Sequence, residues 1–274
     1  MKKRVIVALC STIAFSSFYF SGFAKANEVT EPEKVNVSTD TELTEEERLN
    51  IIDNLEVSEG VEQEQINDLD DAMLYELSQD SGEIVSVETE NSYIYEPTAT
   101  TKIMAAKTMP TKDFKLTVVA QRIKEKSGDN FKFTATGDWK ASPFWELEDT
   151  IALAWSDSFT MYNDYSYMYG YVGSKQTMKP GSRNKVKNEV GVAHDVDLQP
   201  AVTDDKAVLV AKVYKKNSSG SANVSAEYAH VTKVAKITGV TITGGGGAPP
   251  SISFDISGGA GLEEASPAYT SFSY

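Results

Sequence analysis

The sequence predicts a mainly β protein, an antiparallel β-sandwich or barrel, preceded by a small acidic and partly helical pro-segment. Two observations predict the β fold. About nine or ten stretches of roughly six to nine residues alternate apolar and polar side chains between turn residues, and no helical period follows Pro110. A third observation divides the chain, because residues 27–100 carry 22 acidic and 2 basic side chains, whereas residues 101–274 carry 18 and 20. We therefore predict an acidic segment (27–100), a linker (101–113) and a β domain (114–274).

Residues 1–26 have the three parts of a secretory signal peptide. A positively charged start at residues 2–4 precedes an apolar stretch that runs to about residue 20, and an A-x-A pattern ends at Ala26. Cleavage between Ala26 and Asn27 predicts a secreted, extracellular protein. The single cysteine, Cys10, lies within the signal. The mature chain is therefore predicted to have neither disulfides nor thiolate metal sites.

Two short helices are predicted within the acidic segment. The pattern Thr44-x-x-Glu47 matches a capping box in front of apolar residues at helical spacing, which predicts a helix from about residue 45 to residue 55. A second helix, ending before Gly82, carries an apolar face of four residues: Ile66, Leu69, Met73 and Leu77. Two interpretations of the segment stay open, a propeptide that escorts or masks the β domain and a solvated spacer.

The stretch from Trp139 to Tyr171 is the most aromatic part of the β domain. In DTIALAW, large apolar residues alternate with Ala152 and Ala154, which predicts a strand packed on both faces. In the next strand four tyrosines share one parity, and we call them the tyrosine stripe: Tyr165, Tyr167, Tyr169 and Tyr171. The stripe is either part of a sandwich core or an exposed binding face, since tyrosine has an apolar ring and a polar tip.

A polar, basic stretch from Ser174 to Asn188 is predicted to form a surface loop or hairpin tip. An exposed tyrosine stripe beside these cations would suit contact with a bacterial cell envelope or membrane surface. Residues 101–274 lack a nucleic-acid motif and have a net charge of only +2, which argues against a nucleic-acid partner. The candidate envelope-contact residues are Trp145, Tyr162, Tyr165, Tyr167, Tyr169, Tyr171, Lys175, Lys179, Arg183, Lys185 and Lys187.

No motif predicts an enzyme or a cofactor site. The two histidines, His194 and His230, lie in alternating strands, and neither G-x-S-x-G nor H-E-x-x-H occurs. His194 and Asp195 are expected to point to opposite faces of one strand, so they could not pair directly. Four aspartates near strand ends are candidate calcium ligands, with solvated turn residues as the alternative interpretation: Asp157, Asp164, Asp195 and Asp197.

Two blocks of the sequence resemble parts of exported bacterial products. Secreted proteins of unknown function from spore-forming Gram-positive bacteria resemble this chain in TVVAQRIKEKSGDNFKFTATGDWKASPFWELEDTIALAWSD and in AEYAHVTK. Short helical pro-regions resemble LTEEERLNIIDNLEVSEGVEQEQINDLDDAMLYEL. The combination of a signal, an acidic leader and a cysteine-free β domain is also similar in outline to large secreted bacteriocins. This resemblance implies a secreted antibacterial product and no particular active-site residues.

Together these features favour a non-enzymatic, antibacterial or toxin-like protein that acts at a target cell envelope. The acidic segment would keep the β domain soluble or inactive until export. The alternative is an extracellular structural or adhesive protein of a matrix or surface, which would self-associate through the edges of its β-sheets.

Overall fold

The predicted fold class is confirmed by a computed structural model of the chain, which is a multi-sheet, largely antiparallel β-sandwich with three short helices between residues 43 and 91 of its described part. The structure describes residues 43–91, 107–108, 114–125, 128–140, 143, 147–172, 175–181, 185–199, 203–232, 236–245, 248–257 and 261–274. The predicted signal cleavage site at Ala26 and Asn27 lies outside the described residues, and so does most of the predicted linker.

The described elements follow one another in this order. The helices are α1 (Glu45–Asn54), α2 (Gln63–Asn67) and α3 (Asp71–Ser78). The strands are β1 (Glu56–Val57), β2 (Gly82–Asn91), β3 (Lys107–Thr108), β4 (Phe114–Glu125), β5 (Gly128–Trp139), β6 (Glu148–Trp155), β7 (Phe159–Val172), β8 (Lys175–Pro180), β9 (Val186–Asn188), β10 (Gly191–Asp197), β11 (Thr203–Lys215), β12 (Ser221–Val231), β13 (Lys236–Gly245), β14 (Ala248–Ser257), β15 (Leu262–Glu264) and β16 (Ala268–Ser273).

The strands form two large sheets and one separate hairpin. Sheet A has the order β1-β2-β4-β5-β11-β7-β8, and sheet B has the order β3-β15-β12-β6-β10-β9, with β16 also paired to β12. The pairs β1–β2 and β3–β15 are parallel, and the other described pairs are antiparallel. Strands β13 and β14 pair with each other in a third sheet of two strands.

The main core lies between sheets A and B. Alternation along β6 places Ile151, Leu153 and Trp155 in this core, while Ala152 and Ala154 face the other side of sheet B. The strand packed on both faces, as the sequence predicts, is therefore confirmed. Large rings fill the space between the sheets, where Phe133 meets Phe159 edge to face with ring centroids 5.4 Å apart.

Helix α1 begins where its capping residues predict. Thr44 and Glu47 form the predicted capping box at the start of α1. The predicted second helix is divided into α2 and α3, because Asp70 accepts a hydrogen bond from Met73 N at 2.9 Å and thereby starts a new helix. None of the described helices is long and apolar enough to cross a membrane.

The acidic segment is built into the β fold instead of lying apart from it. Its strand β2 hydrogen-bonds along β4 of sheet A. Its helices pack over the outer face of the same sheet, where Ile66, Met73 and Leu77 share a core with Val119 of β4. The fold therefore has a helical layer, sheet A and sheet B, and the β13–β14 hairpin lies on the far side of sheet B.

The β13–β14 hairpin packs through one apolar face onto the alanine side of sheet B. Beneath it, the carboxyl group of Glu227 on β12 accepts a hydrogen bond from Ile252 N at 3.3 Å. Burial raises the pKa of Glu227 to about 8, from an ordinary value of 4.5, and the nearby Glu264 carboxyl acts in the same direction.

This raised pKa predicts a pH-dependent stability. The folded state keeps a proton that the unfolded state loses above pH 4.5, so Glu227 weakens the fold progressively as the pH rises from about 4.5 to about 8. We expect Glu227→Gln to raise the thermal unfolding midpoint relative to the unsubstituted protein, and to raise it more at pH 8 than at pH 5. Glu189→Gln, at an exposed position, is the control. A Glu227→Gln difference that is constant with pH would contradict this assignment.

Candidate functional site

The tyrosine stripe lies on the outer face of sheet A, under helix α3. Tyr167, Tyr169 and Tyr171 are buried with Ala72 of α3 and with Val208 and Val210 of β11. Tyr165 is half-buried beside them. Of the two interpretations that the sequence leaves open, the buried one therefore describes this form of the protein, although what buries the stripe is the acidic segment and not the second sheet.

The carboxylate of Glu76 on α3 accepts hydrogen bonds from two hydroxyl groups of the tyrosine stripe. Tyr165 Oη donates to one oxygen of Glu76 at 2.5 Å, and Tyr167 Oη donates to the other at 3.0 Å. Burial, followed by the charge of Glu76, raises the pKa of both tyrosines above its ordinary value of 10.0. Both phenols therefore stay protonated and act as donors to Glu76, which is itself 2% exposed.

Two lysines of the sheet extend the same contact. Lys132 on β5 is fully buried, and its Nζ donates to Glu76 O at 2.7 Å and to Asp80 Oδ2 at 2.8 Å. Lys212 on β11 donates to the other Asp80 oxygen at 2.8 Å. Burial acts to raise the pKa of Asp80, but the two lysines outweigh it and hold that pKa below its ordinary value. We call Tyr165, Tyr167, Lys132 and Lys212, with Glu76 and Asp80 over them, the clasp.

Further ion pairs join the acidic segment to sheet A around the clasp. Each joins a carboxylate between residues 56 and 83 to a basic side chain of β4: Asp68 to Lys115 at 2.6 Å, Glu83 to Arg122 at 3.0 Å and Glu56 to Lys124 at 2.9 Å. In addition, Thr136 on β5 donates to the buried carboxylate of Asp70 at 2.7 Å. Acidic side chains of residues 27–100 therefore pair directly with basic side chains of the β domain where the two parts of the chain are in contact.

The candidate contact residues beyond the stripe are placed differently. Tyr162 is 40% exposed and stacks on Tyr214. Trp145 and Arg183 lie outside the described residues, and Lys175 lies in β8 with its side chain not described. Three more lysines bind aspartates that were candidate calcium ligands: Lys179 binds Asp197 at 2.7 Å, Lys185 binds Asp195 at 2.9 Å, and Lys187 binds Asp164.

The four candidate calcium ligands do not share one site in the described part of the chain. Asp164, Asp195 and Asp197 each interact with a different lysine instead of converging, and Asp157 is exposed. Among the described residues, no group of three or more acidic, histidine or cysteine side chains could hold a metal ion.

Both histidines are bonded to carboxylates that are distant in sequence. His194 Nδ1 lies 2.7 Å from Ser166 Oγ, and His194 Nε2 lies 3.0 Å from Asp164 Oδ2, so a serine, a histidine and an aspartate are linked in series. The sequence does not reveal this set, because Ser166 and Asp164 lie on β7 of sheet A and His194 lies on β10 of sheet B. Ser166 is 8% exposed. In this form the three side chains tie the two sheets together.

Burial of the stripe predicts a large effect of its removal. We expect Tyr167→Ser to lower the free energy of unfolding by about 3–5 kcal/mol, as is typical when a buried aromatic ring is deleted. Tyr162→Ser is the matched control on the same strand, and we expect a change within about 1 kcal/mol because that ring is 40% exposed. Urea-induced unfolding measures both changes. Equal effects of the two substitutions would show that α3 does not cover the stripe in solution.

No protein-family model and no curated protein matches this chain. Matches among solved structures include one titled a pore forming protein, at 10% identity and a TM-score of 0.30, covering 70% of this chain and 95% of that chain. The membrane-inserted form of the Clostridium perfringens NetB toxin matches at 8% identity and a TM-score of 0.27, with 69% and 95% covered. The collagen-binding subdomain of the Enterococcus faecalis surface protein ACE matches at 3% identity and a TM-score of 0.25, with 49% and 86% covered. Similarities this low do not establish a shared fold, so the site is interpreted from its own geometry.

Proposed function

We propose that this chain is a secreted, non-enzymatic, antibacterial or toxin-like protein that acts at a target cell envelope and is held latent by its acidic segment. One observation carries the proposal: helix α3 covers the tyrosine stripe, and Glu76 of α3 and Asp80 just after it bind two tyrosines of the stripe and the lysines of the same sheet face, Lys132 and Lys212. The β domain would make its contact with the envelope through this face once the segment is displaced.

The chemistry of the clasp suits displacement by an anionic surface. Glu76 and Asp80 supply negative charge and hydrogen-bond acceptors to two tyrosines and two lysines. Phosphate-bearing polymers and lipid headgroups offer the same two features and are abundant in bacterial envelopes. An anionic envelope can therefore compete for the groups that the acidic segment occupies. We infer that the segment is a mimic of the target surface.

Cleavage of the chain between the acidic segment and the β domain would allow the segment to dissociate. Residues 92–106 connect β2 to β3 in the chain. Lys102 and Lys107 flank a short apolar stretch, Ile103-Met104-Ala105-Ala106, and mark a candidate processing region at this connection. After a cut, the acidic segment would be held by the β2–β4 ladder, the helical core and the ion pairs alone. Loss of the tether makes its release depend on concentration, so competition by a target surface becomes effective.

The experiment compares cut and uncut forms of one protein. A recognition sequence for a specific protease is inserted within residues 92–106 of the chain lacking its predicted signal, and dye leakage from Gram-positive cells is measured before and after cleavage. We expect much stronger leakage after cleavage. The same insertion with its scissile residue changed is the control, because protease treatment then leaves the tether intact. Equal leakage by the cut and uncut forms would overturn latency, and no leakage by either form would overturn the toxin-like function.

The alternative of a structural or adhesive protein assembling through sheet edges finds less support in the described edges. Strand β8 ends sheet A and contains Lys179 and Pro180, and a lysine and a proline on an edge strand oppose pairing with another chain. Fibres or sheets formed by the purified protein, together with the absence of leakage, would favour this alternative.

A further inference from the structure

The β13–β14 hairpin differs from every other described part of the fold in how it is attached. Its two strands are hydrogen-bonded to each other in a separate sheet and are not part of the ladders of sheets A and B. The hairpin can therefore swing away from sheet B without breaking the backbone hydrogen bonds of sheet A or sheet B. Its backbone hydrogen bonds would move with it as a unit.

The two faces of the hairpin differ sharply in polarity. One face turns apolar side chains toward sheet B: Ile237, Val240, Ile242, Ile252, Phe254 and Ile256. The other face is exposed and consists mainly of hydroxyl-bearing side chains: Thr238, Thr241, Thr243, Ser251 and Ser253. Between residues 237 and 256 the one charged side chain is Asp255. An uncharged strand pair with one apolar and one polar face suits the boundary between lipid chains and water.

The length of the hairpin matches a bilayer. Strands β13 and β14 have 10 residues each, and a tilted strand needs about 9–11 residues to cross the hydrocarbon layer. The lack of charge matters equally, since a charged side chain facing lipid near the middle of a bilayer costs about 2–4 kcal/mol. Lys236 and Asp255 both lie at the end of the hairpin opposite its turn.

The surface under the hairpin holds it by shallow contacts. Sheet B presents small side chains there, with Ala152, Ala154 and Ala193 in the shared cluster. Among the described residues, two hydrogen bonds join the hairpin backbone to side chains of the body, and both are long: Asn188 Nδ2 donates to Ile242 O at 3.2 Å, and Ile252 N donates to Glu227 Oε1 at 3.3 Å. Alanine side chains interdigitate little with the side chains above them. The closer contacts under the hairpin involve Val231 and Leu262, and Ile242, whose Cγ2 would lie 2.5 Å from a Cβ atom at Gly191.

From these observations we propose that the hairpin Lys236–Ser257 is a membrane-inserting element that detaches from sheet B and enters a lipid bilayer with its apolar face toward the acyl chains. This inference rests on the proposed function, because it supplies the means by which the protein acts on an envelope. An inserted hairpin has two unpaired edges, and unpaired backbone groups are costly in lipid. Hairpins of several copies must therefore pair edge to edge, so the partner in the bilayer is a second copy of this chain.

The test is a reversible staple between the hairpin and the body of the protein. A Cβ atom at Gly244 would lie 3.2 Å from Val190 Cβ and 2.7 Å from the carbonyl oxygen of Trp155. A cysteine at position 244 therefore requires the hairpin backbone to move outward, and the same movement brings the two Cβ atoms to the separation of about 3.5–4.5 Å that disulfides need. The control staple, Thr243→Cys with Ser251→Cys, joins residues whose hydroxyl oxygens lie 2.7 Å apart within the hairpin. It links the two hairpin strands without anchoring them to sheet B. The predicted mature chain has no other cysteine, so each pair is alone in its protein.

Both doubly substituted proteins carry the protease site described above and are cut, then added to dye-filled vesicles of phosphatidylglycerol and phosphatidylcholine. We expect the oxidised Gly244→Cys/Val190→Cys protein to bind vesicles without releasing dye, and to release dye after reductant is added. The control staple is expected to release dye in both states. Dye release by the oxidised anchored protein equal to that of its reduced form would overturn insertion of the hairpin.

The unstapled cut protein separates this inference from the proposed function. If it permeabilises cells but not vesicles, insertion of the hairpin is overturned and the envelope function stands. If it permeabilises neither, both are overturned.

Discussion

Replacing Lys132 by methionine is expected to lower the free energy of unfolding by about 3–5 kcal/mol, because it leaves a buried carboxylate without its counter-charge. Lys132 is fully buried between Glu76 and Asp80, and its Nζ also satisfies the carbonyl oxygen of Glu76. Methionine preserves most of the side-chain volume, so the loss reflects charge and hydrogen bonding more than a cavity. Urea-induced unfolding of the uncut protein is the measurement.

Lys124 offers a matched control for this substitution. It also lies on sheet A and binds a carboxylate of the acidic segment, Glu56 at 2.9 Å, but the two side chains are 65% and 62% exposed. Since exposed ion pairs contribute about 0–1 kcal/mol, we expect Lys124→Met to change stability by no more than that. A result in which both substitutions cost the same small amount would mean that the clasp is not a buried electrostatic contact.

Replacing Asp149 by alanine is the second substitution with a large expected effect, about 3–5 kcal/mol of lost stability. Asp149 is fully buried on β6 and accepts hydrogen bonds from Tyr228 Oη at 2.7 Å and from Val231 N at 2.9 Å. His230 Nδ1 lies 3.0 Å from both of its oxygens. Burial raises the pKa of Asp149 in spite of these partners. Alanine would leave the buried donors without an acceptor.

Two further variants make the Asp149 result interpretable. Asp149→Asn keeps one acceptor oxygen at nearly the same volume, so we expect a loss smaller than that of alanine. Asp157→Ala, at an exposed turn position just after β6, controls for the removal of an aspartate and is expected to cost less than about 1 kcal/mol. Unfolding in urea ranks the three. If Asp149→Ala lowers the free energy of unfolding no more than Asp157→Ala does, the hydrogen bonds to Asp149 contribute little to stability.

Part of the clasp was detectable in the sequence of β5. In FKFTATGDW the phenylalanines alternate with Lys132, Thr134 and Thr136, a pattern typical of a strand with one apolar and one polar face. The structure buries all three polar residues under the acidic segment. An amphipathic pattern identifies which side chains share a face of a strand, but it does not say what lies against the polar face. The large negative charge of residues 27–100 was the available signal that a partner of opposite charge exists.

The contacts among Ser166, His194 and Asp164 could not be predicted from the sequence, for a different reason. The expectation that His194 cannot pair with Asp195 agrees with the structure, because His194 bonds to Asp164 and Ser166 while Asp195 bonds to Thr150 and Lys185. The period of two along a strand decides that adjacent residues such as His194 and Asp195 point to opposite faces of the sheet. Neighbours across the gap between two sheets depend on how the sheets are placed, and nothing local encodes that placement.

By itself, the sequence determined the strands, the two-sided packing of β6, the capping box at Thr44 and the separation of charge along the chain. Each of these follows from side-chain period, capping or composition within a short stretch of residues. The tertiary structure alone decided that α3 covers the tyrosine stripe, that lysines of the basic stretch neutralise the aspartates, and that β13 and β14 form a separate hairpin. These contacts join residues up to 132 positions apart, as in the bond between Lys212 and Asp80. Such long-range pairs arise from the packing of whole layers, which a local pattern constrains but does not specify.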